Sequence, residues 1–308
     1  MPMRPTDTTT GKPYPPFAGD DAQPCTYEHA RVAVLPVPYE GTVSYGSGAS
    51  QGPRAILEAS AQLEMYDEEL DRRIDQWGLF TLPPVDCSNA PPEAVMERIR
   101  LAALRPIRDG KLLLTLGGEH SISYGVFKAL IEARGKPFSL LQIDAHADLR
   151  DSYGGTPHSH ASIMARAHEL GLPFVQVGIR ALSEEERQFL RRKGIDRNVY
   201  WAHEIARATD EQWMVDVTEK LEGDVYLTVD LDGLDPAIMP ATGTPVPGGL
   251  DWYTTLNLLK RTCRRHRIVG MDIVELAPVP GWHGPDFLAA RLAYKMIGYA
   301  FQRQHRGD

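Results

Sequence analysis

One arrangement constrains this chain more than any other: an apolar run that ends in carboxylates and imidazoles. It occurs three times. Leu112-Leu113-Leu114-Thr115-Leu116 leads into Gly117-Gly118-Glu119-His120-Ser121. Ser139-Leu140-Leu141-Gln142-Ile143 leads into Asp144-Ala145-His146-Ala147-Asp148. Val225-Tyr226-Leu227-Thr228-Val229 leads into Asp230-Leu231-Asp232-Gly233-Leu234-Asp235-Pro236. Each run reads as a buried strand, because short apolar segments bounded by turn formers suit the interior of a sheet. An unpaired carboxylate is too costly at the end of a core strand; a cationic partner, a metal or protonation has to compensate. At least four Asp and two His gather at one sheet edge, and these segments hold no matching set of Lys or Arg. Divalent metal is the simplest compensation, and two ions match the charge better than one.

The donor types narrow the metal. Imidazole and carboxylate without thiolate suit Mn, Fe, Ni, Co or Zn. On an extended segment, residues i, i+2 and i+4 point to one side. Asp144, His146 and Asp148 are therefore expected to face one pocket, as are Asp230 and Asp232. Two metals about 3.5–4 Å apart share a bridging water and lower its pKa toward 7. Hydrolysis by bound hydroxide is the expected reaction class.

The rest of the chain supplies a frame for such a site. Residues 1–29, rich in Pro, Thr, Gly and Asp, read as an extended or flexible arm. From residue 30 to 308 the chain reads as a single domain, with no fixed-period repeat and no compositional break. Strands are expected at Arg31 to Leu35, stopped by Pro36, at the three motif runs, and near 174–178, 198–201 and 267–273. Helices are expected from Pro53 to about Tyr66 and Pro92 to about Arg105, and near 121–133, 161–169, 183–193, 210–221, 251–265 and 285–302. This alternation argues for a mostly parallel sheet covered by helices on both faces. Ligands of such sheets gather beyond the carboxyl ends of the strands, where all three motifs fall. The long loops after the second and third motifs, Arg150 to Ser159 and Gly233 to Gly249, are expected to wall the pocket.

Composition excludes some functions. A net charge of −8 argues against general nucleic-acid binding. Three scattered cysteines read as reduced thiols. No secretory signal and no membrane span is legible, so a cytoplasmic enzyme is expected.

The three motifs, in this order and spacing, resemble the ureohydrolase family of arginases, agmatinases and their relatives. Further segments share the resemblance: Val37-Pro38-Tyr39-Glu40-Gly41, Gly52-Pro53-Arg54-Ala55-Ile56-Leu57, Gly243-Thr244-Pro245, Pro247-Gly248-Gly249-Leu250 and Val274-Glu275-Leu276-Ala277-Pro278. Asp148-Leu149-Arg150-Asp151 followed by Ser159-His160-Ala161-Ser162 looks most like agmatinases. The resemblance implies a three-layer α/β/α sandwich around a sheet of about eight strands. It implies two divalent ions per chain, manganese first, with nickel, cobalt, iron or zinc as alternatives. His120, Asp144, Asp148 and Asp230 would hold one ion; His146, Asp144, Asp230 and Asp232 the other. Asp148 and His160 would move protons during catalysis, and Glu275 would bind the substrate guanidinium. The expected reaction is hydrolysis of agmatine to putrescine and urea. Aminopropylagmatine, guanidinobutyrate, guanidine, arginine or formiminoglutamate are the alternative substrates, and a non-catalytic member is a further possibility. A homotrimer or homohexamer is implied.

Each residue has a plainer reading. His120 alone would be a helix-start histidine, and paired Asp residues would be caps or ion-pair partners. Six such groups at three strand ends argue against this. His158 reads better as an ordinary loop histidine than His160 does. Asp235 reads equally as a turn former. Glu119 stands where many relatives have Asp, and a supporting role is expected. Ala241 replaces a glycine of the family pattern, which would strain it only at positive φ.

Overall fold

Each of the three motif runs is a strand of one sheet. The computed structural model describes residues 13–135 and 137–302, so residues 1–12 of the expected arm lie outside the described residues. The strands are β1 (Val32–Val37), β2 (Leu79–Thr81), β3 (Leu112–Gly117), β4 (Ser139–Ile143), β5 (Phe174–Ile179), β6 (Val199–Trp201), β7 (Val225–Asp230) and β8 (Ile268–Val274). They pair in the order β2-β1-β3-β8-β7-β4-β5-β6, every pair parallel.

Alternation along these strands sorts side chains onto two faces. Leu114 and Leu116 of β3 join a core with Ile56 and Leu57 of helix Gly52–Ser60, Leu259 of helix Trp252–Arg265 and Met296 of helix Gly284–Phe301. Leu113, between them, joins a second core with Val95 and Ile99 of helix Pro92–Arg108 and Val126 and Leu130 of helix Ser123–Arg134. The result is the expected three-layer α/β/α sandwich. Tyr14 and Phe17 are buried in the first core, and the backbone of Ala18 donates to Ser60 Oγ at 2.8 Å. No described helix is long and apolar enough to cross a membrane.

The strand order places the site. At the sheet centre β3, β8, β7 and β4 are neighbours, although they are far apart in sequence. Their carboxyl ends bring His120, Glu275, Asp230 and Asp144 to one edge, the position where open α/β sheets gather ligands.

Two local expectations need correction, and two small elements were missed. Pro36 does not stop β1, which runs to Val37. A residue in a strand directs its nitrogen and carbonyl to the same side, and the Pro36 carbonyl accepts from Val85 N at 3.0 Å, beyond the end of β2. No ladder donor is lost there. The helix from Gly52 ends at Ser60 instead of near Tyr66; Ser60 Oγ donates back to the Leu57 carbonyl at 2.7 Å, a contact that competes with helix continuation. Strand β2 and the hairpin Tyr66–Asp67 with Arg72–Arg73 were not legible, because two or three residues carry no periodicity.

Candidate metal centre and substrate pocket

The end of β3 is shaped by Gly118. A Cβ there would lie 2.0 Å from the Tyr39 carbonyl oxygen, so only glycine lets the strand end pack on that segment. The chain then turns and buries His120. Thr228 Oγ donates to Asp272 Oδ1 at 2.7 Å, so its oxygen accepts from His120 Nε2 at 2.7 Å. Asp272 also accepts from Ser123 and Tyr226. This chain of hydrogen bonds puts the ring proton on Nε2 and leaves Nδ1 with a lone pair. Nδ1 lies 3.1 Å from Asp144 Oδ2, 3.1 Å from Asp148 Oδ2 and 3.4 Å from Asp230 Oδ2. Four electron-rich atoms cannot share that space without a proton or a cation among them.

The second and third motifs interlock beside it. A Cβ on Gly233 would lie 2.7 Å from Asp144 N, so this glycine lets the two motifs pack together. Asp232 Oδ1 accepts from Ala145 N at 3.1 Å, and Asp232 Oδ2 lies 2.9 Å from His146 Nδ1. Asp144 accepts from Gln142 Nε2 and from His146 N, both at 2.6 Å. The convergence does not come from strand pleating, as the spacing had implied. Asp148 has φ 52°, and its carbonyl accepts from Met164 N and Ala165 N at the start of helix Ile163–Glu169. Asp232 sits on the 3-10 turn Leu231–Gly233, capped by Asp230 Oδ1. Loop geometry, not the pleat, aims these carboxylates.

Two overlapping sets can hold a metal ion: His120, Asp144 and Asp230, and Asp144, His146 and Asp232, with ligand atoms within 4.8 Å of one another. Asp144 belongs to both, and Asp148 stands beside the first. The electrostatics of the bare site fit that reading. Burial, then Asp148 and Asp232, push Asp144 up to about 8, and burial with Asp232 drives Asp230 well above the carboxylate range. Burial opposes charge on the histidines, but the carboxylates outweigh it: Asp144, Asp148 and Asp230 hold His120 well above 6.5, and Asp232 raises His146 to about 10. Hard cations among oxygen and imidazole donors would relieve both effects.

Above these residues lies a pocket of about 140 Å³. His120, His146, Asp148, Asp230, Asp232, His160 and Glu275 all line it, with Asp144 buried beneath. Glu275 has φ 67°, and its Oε1 accepts from His120 N at 2.7 Å. Burial, then the charge of Glu119, push its carboxyl well above the usual range. Positive φ in a non-glycine residue costs on the order of 1–3 kcal/mol and gathers at functional sites; here two candidate residues carry it. The walls come from both predicted loops, through Arg150, Tyr153, Gly243 and Thr244. A larger groove of about 1160 Å³, lined by Tyr39, Arg54, Cys87 and Phe287 among others, contains none of the eight candidate residues.

Other expectations resolve individually. His158 stays outside the pocket, its ring 5.0 Å from that of Tyr124. Asp235 forms a turn, accepting from Ala237 N at 2.8 Å. Ala241 does not have positive φ, so the replaced glycine brings no strain. Glu119 clamps the loop after Glu40, accepting from Gly41 N, Thr42 N, Thr42 Oγ1 and Ser121 Oγ. Sequence reasoning missed the wall Val43–Gly46 and the supporting groups Thr228, Asp272, Gln142 and Arg180. The Arg180 guanidinium donates to the carbonyls of Asp232, Leu234 and Val246, pinning the loop after the third motif. Except for Arg180, at the end of its strand, the supporting groups had a signal: a polar residue in the middle of an apolar strand.

A parallel α/β/α sheet with acidic and imidazole groups clustered at its carboxyl edge defines an α/β protein with a candidate metal-binding site. Comparison makes the class specific. The Arginase family model matches residues 30–298. The N(1)-aminopropylagmatine ureohydrolase of Synechocystis sp. is 42% identical over 287 residues, 91% of this chain and 92% of that one. The agmatinase of Pyrococcus horikoshii is 34% identical, covering 86% and 90%. The agmatine ureohydrolase structure from Thermoplasma volcanium superposes with a TM-score of 0.82 at 31% identity, covering 94% and 96%. The chain belongs to the arginase family. It is a hydrolase acting on carbon–nitrogen bonds of linear amidines.

Proposed function

We propose that the chain hydrolyses N(1)-aminopropylagmatine to a triamine and urea. The carrying observation is the 42% identity, across nine-tenths of both chains, to a relative named for that reaction. This shifts the order of substrates read from the sequence, where agmatine stood first; the agmatinase compared above is 34% identical.

His120, Asp144, Asp148 and Asp230 would hold one divalent cation, and His146, Asp144, Asp230 and Asp232 a second, with manganese the first choice. When bound, the ions supply Lewis acidity and a water that is nucleophilic near neutral pH. The chain's own groups do the rest. Glu275 binds the guanidinium, whose charge offsets the burial of its carboxylate. Asp148 and His160 transfer the proton that lets the amine leave. Tyr45 and Tyr153 line the mouth, where an aromatic face favours the cationic tail by about 0.5–1 kcal/mol. Cytoplasmic location and trimeric or hexameric assembly belong to the same reading through family likeness.

One observation favours a second reading. Arg150 lines the pocket, and a cation there suits a guanidino acid such as guanidinobutyrate. It ranks second because Arg150 already lies 4.0 Å from Glu186 and over the Tyr153 ring. Urea release measured over aminopropylagmatine, agmatine, guanidinobutyrate and arginine separates these cases. Aminopropylagmatine should give the highest kcat/KM. Arginine should fall about 5- to 150-fold lower, because an unpaired carboxylate costs roughly 1–3 kcal/mol. A preference of about 10-fold for agmatine or guanidinobutyrate overturns the assignment of the tail.

Glu275→Gln tests the head of the substrate. Glutamine keeps an oxygen for the His120 N–H but removes the charge. A charged hydrogen bond contributes about 1.5–3 kcal/mol, so kcat/KM should fall by about 10- to 150-fold with metal content unchanged. Unaltered kcat/KM would mean that Glu275 does not hold the guanidinium.

A further inference from the structure

Loop Gly41–Gly48 is tied at both ends by carboxylates. Glu40 accepts from Gly48 N, Ser50 N and Ser50 Oγ. Glu119 accepts from Gly41 N at 2.7 Å and Thr42 N at 2.6 Å. The loop so held presents one hydroxyl, that of Thr42, to the backbone and ring of His160.

Hydrogen-bond directions around that hydroxyl are determined. Thr42 Oγ1 donates its single proton to Glu119 Oε1 at 2.6 Å. Its oxygen can then only accept, and it accepts from His160 N at 3.1 Å. The ring nitrogen His160 Nδ1 lies 3.2 Å from the same oxygen. A hydroxyl with its proton committed elsewhere offers that nitrogen a lone pair, so the matching state is Nδ1–H. Ser159 Oγ stands farther off, 3.5 Å from Nδ1 against 3.2 Å for Thr42 Oγ1, which makes Thr42 the nearer partner. The Tyr153 ring meets the imidazole edge-on at 5.7 Å and restricts its rotation.

We propose that Thr42, with its proton held by Glu119, is a positioning residue that keeps the His160 proton on Nδ1 and so offers Nε2 for proton transfer in the pocket. The proposal rests on the acid–base reading of His160. It also gives Glu119 a purpose: from the start of the His120 turn its carboxylate spans to loop Gly41–Gly48 and fixes the hydroxyl.

The test is a double-mutant cycle between Thr42→Val and His160→Ala, with Thr42→Ser as the rescue, using the metal-loaded full chain. Valine keeps the shape and removes the hydroxyl; serine restores it. Thr42→Val should lower kcat by about 10- to 100-fold, part of the range for a positioned acid–base group, while KM stays within about twofold. Thr42→Ser should recover most of kcat. In the His160→Ala background Thr42→Val should cost less than about twofold, because the group it orients is gone. Equal losses in both backgrounds, with His160→Ala itself impaired, overturn the role of Thr42 alone. Failure of serine to rescue overturns it as well. Undiminished kcat in His160→Ala overturns the acid–base reading and this proposal together. If Thr42→Val fails to load metal, Thr42→Ala takes its place in the cycle.

Discussion

Asp144→Ala will bind neither metal ion and will lose at least about 10³-fold in kcat. Asp144 belongs to both ligand triads, its Oδ2 beside His120 and its Oδ1 toward His146, and in the proposed four-ligand sets it is shared together with Asp230. Alanine removes a donor from each set at once. Metal ions supply several kcal/mol of charge stabilisation, and each 1.36 kcal/mol is tenfold in rate. Asp235→Ala is the matched control. It lies in the third motif, beside the ligand candidates Asp230 and Asp232, but only forms a turn, so both ions and most activity should remain. Elemental analysis of the two variants beside the parent reads the result directly. One ion retained in Asp144→Ala, or one ion in a fully active parent, rejects the shared dinuclear site.

His160→Ala will keep both ions and lose roughly 10²–10⁴-fold in kcat, the range for a positioned acid–base group. Its ring lies on the pocket wall against Tyr153, with Thr42 behind it, and belongs to neither metal-binding set. The loss should fall on kcat, since proton delivery to the departing amine matters in the transition state and not in substrate binding. His158→Ala is the comparison. That ring rests against Tyr124 outside the pocket, and its removal should leave kcat close to the parent value. A large kcat loss in His158→Ala with none in His160→Ala would exchange the two roles.

Most of the frame was legible because strand and helix periods are local properties of the chain. Runs such as Leu112–Leu116 and Val225–Val229 are apolar on both faces, which only a sheet covered on both sides requires. Elements of two or three residues, such as β2, were not legible, since their pairing is decided by neighbours and not by pattern. The loop that carries Thr42 and Tyr45 escaped notice for a related reason. Nothing in Gly41-Thr42-Val43-Ser44-Tyr45 indicates that Glu119, about 77 residues away, holds it against His160.

The sequence by itself determined the donor chemistry. Carboxylates and imidazoles at the ends of apolar strands need a cationic partner, a metal or a proton, and that follows from desolvation whatever the fold. Tertiary structure alone decided how the donors meet. The order β3-β8-β7-β4 sets four distant strand ends side by side, positive φ at Asp148 and Glu275 turns two carboxylates inward, and the Asp272–Thr228–His120 chain selects the nitrogen that faces them. These depend on contacts between residues far apart along the chain, and so on the free energy of the whole packed sheet, which no local pattern encodes.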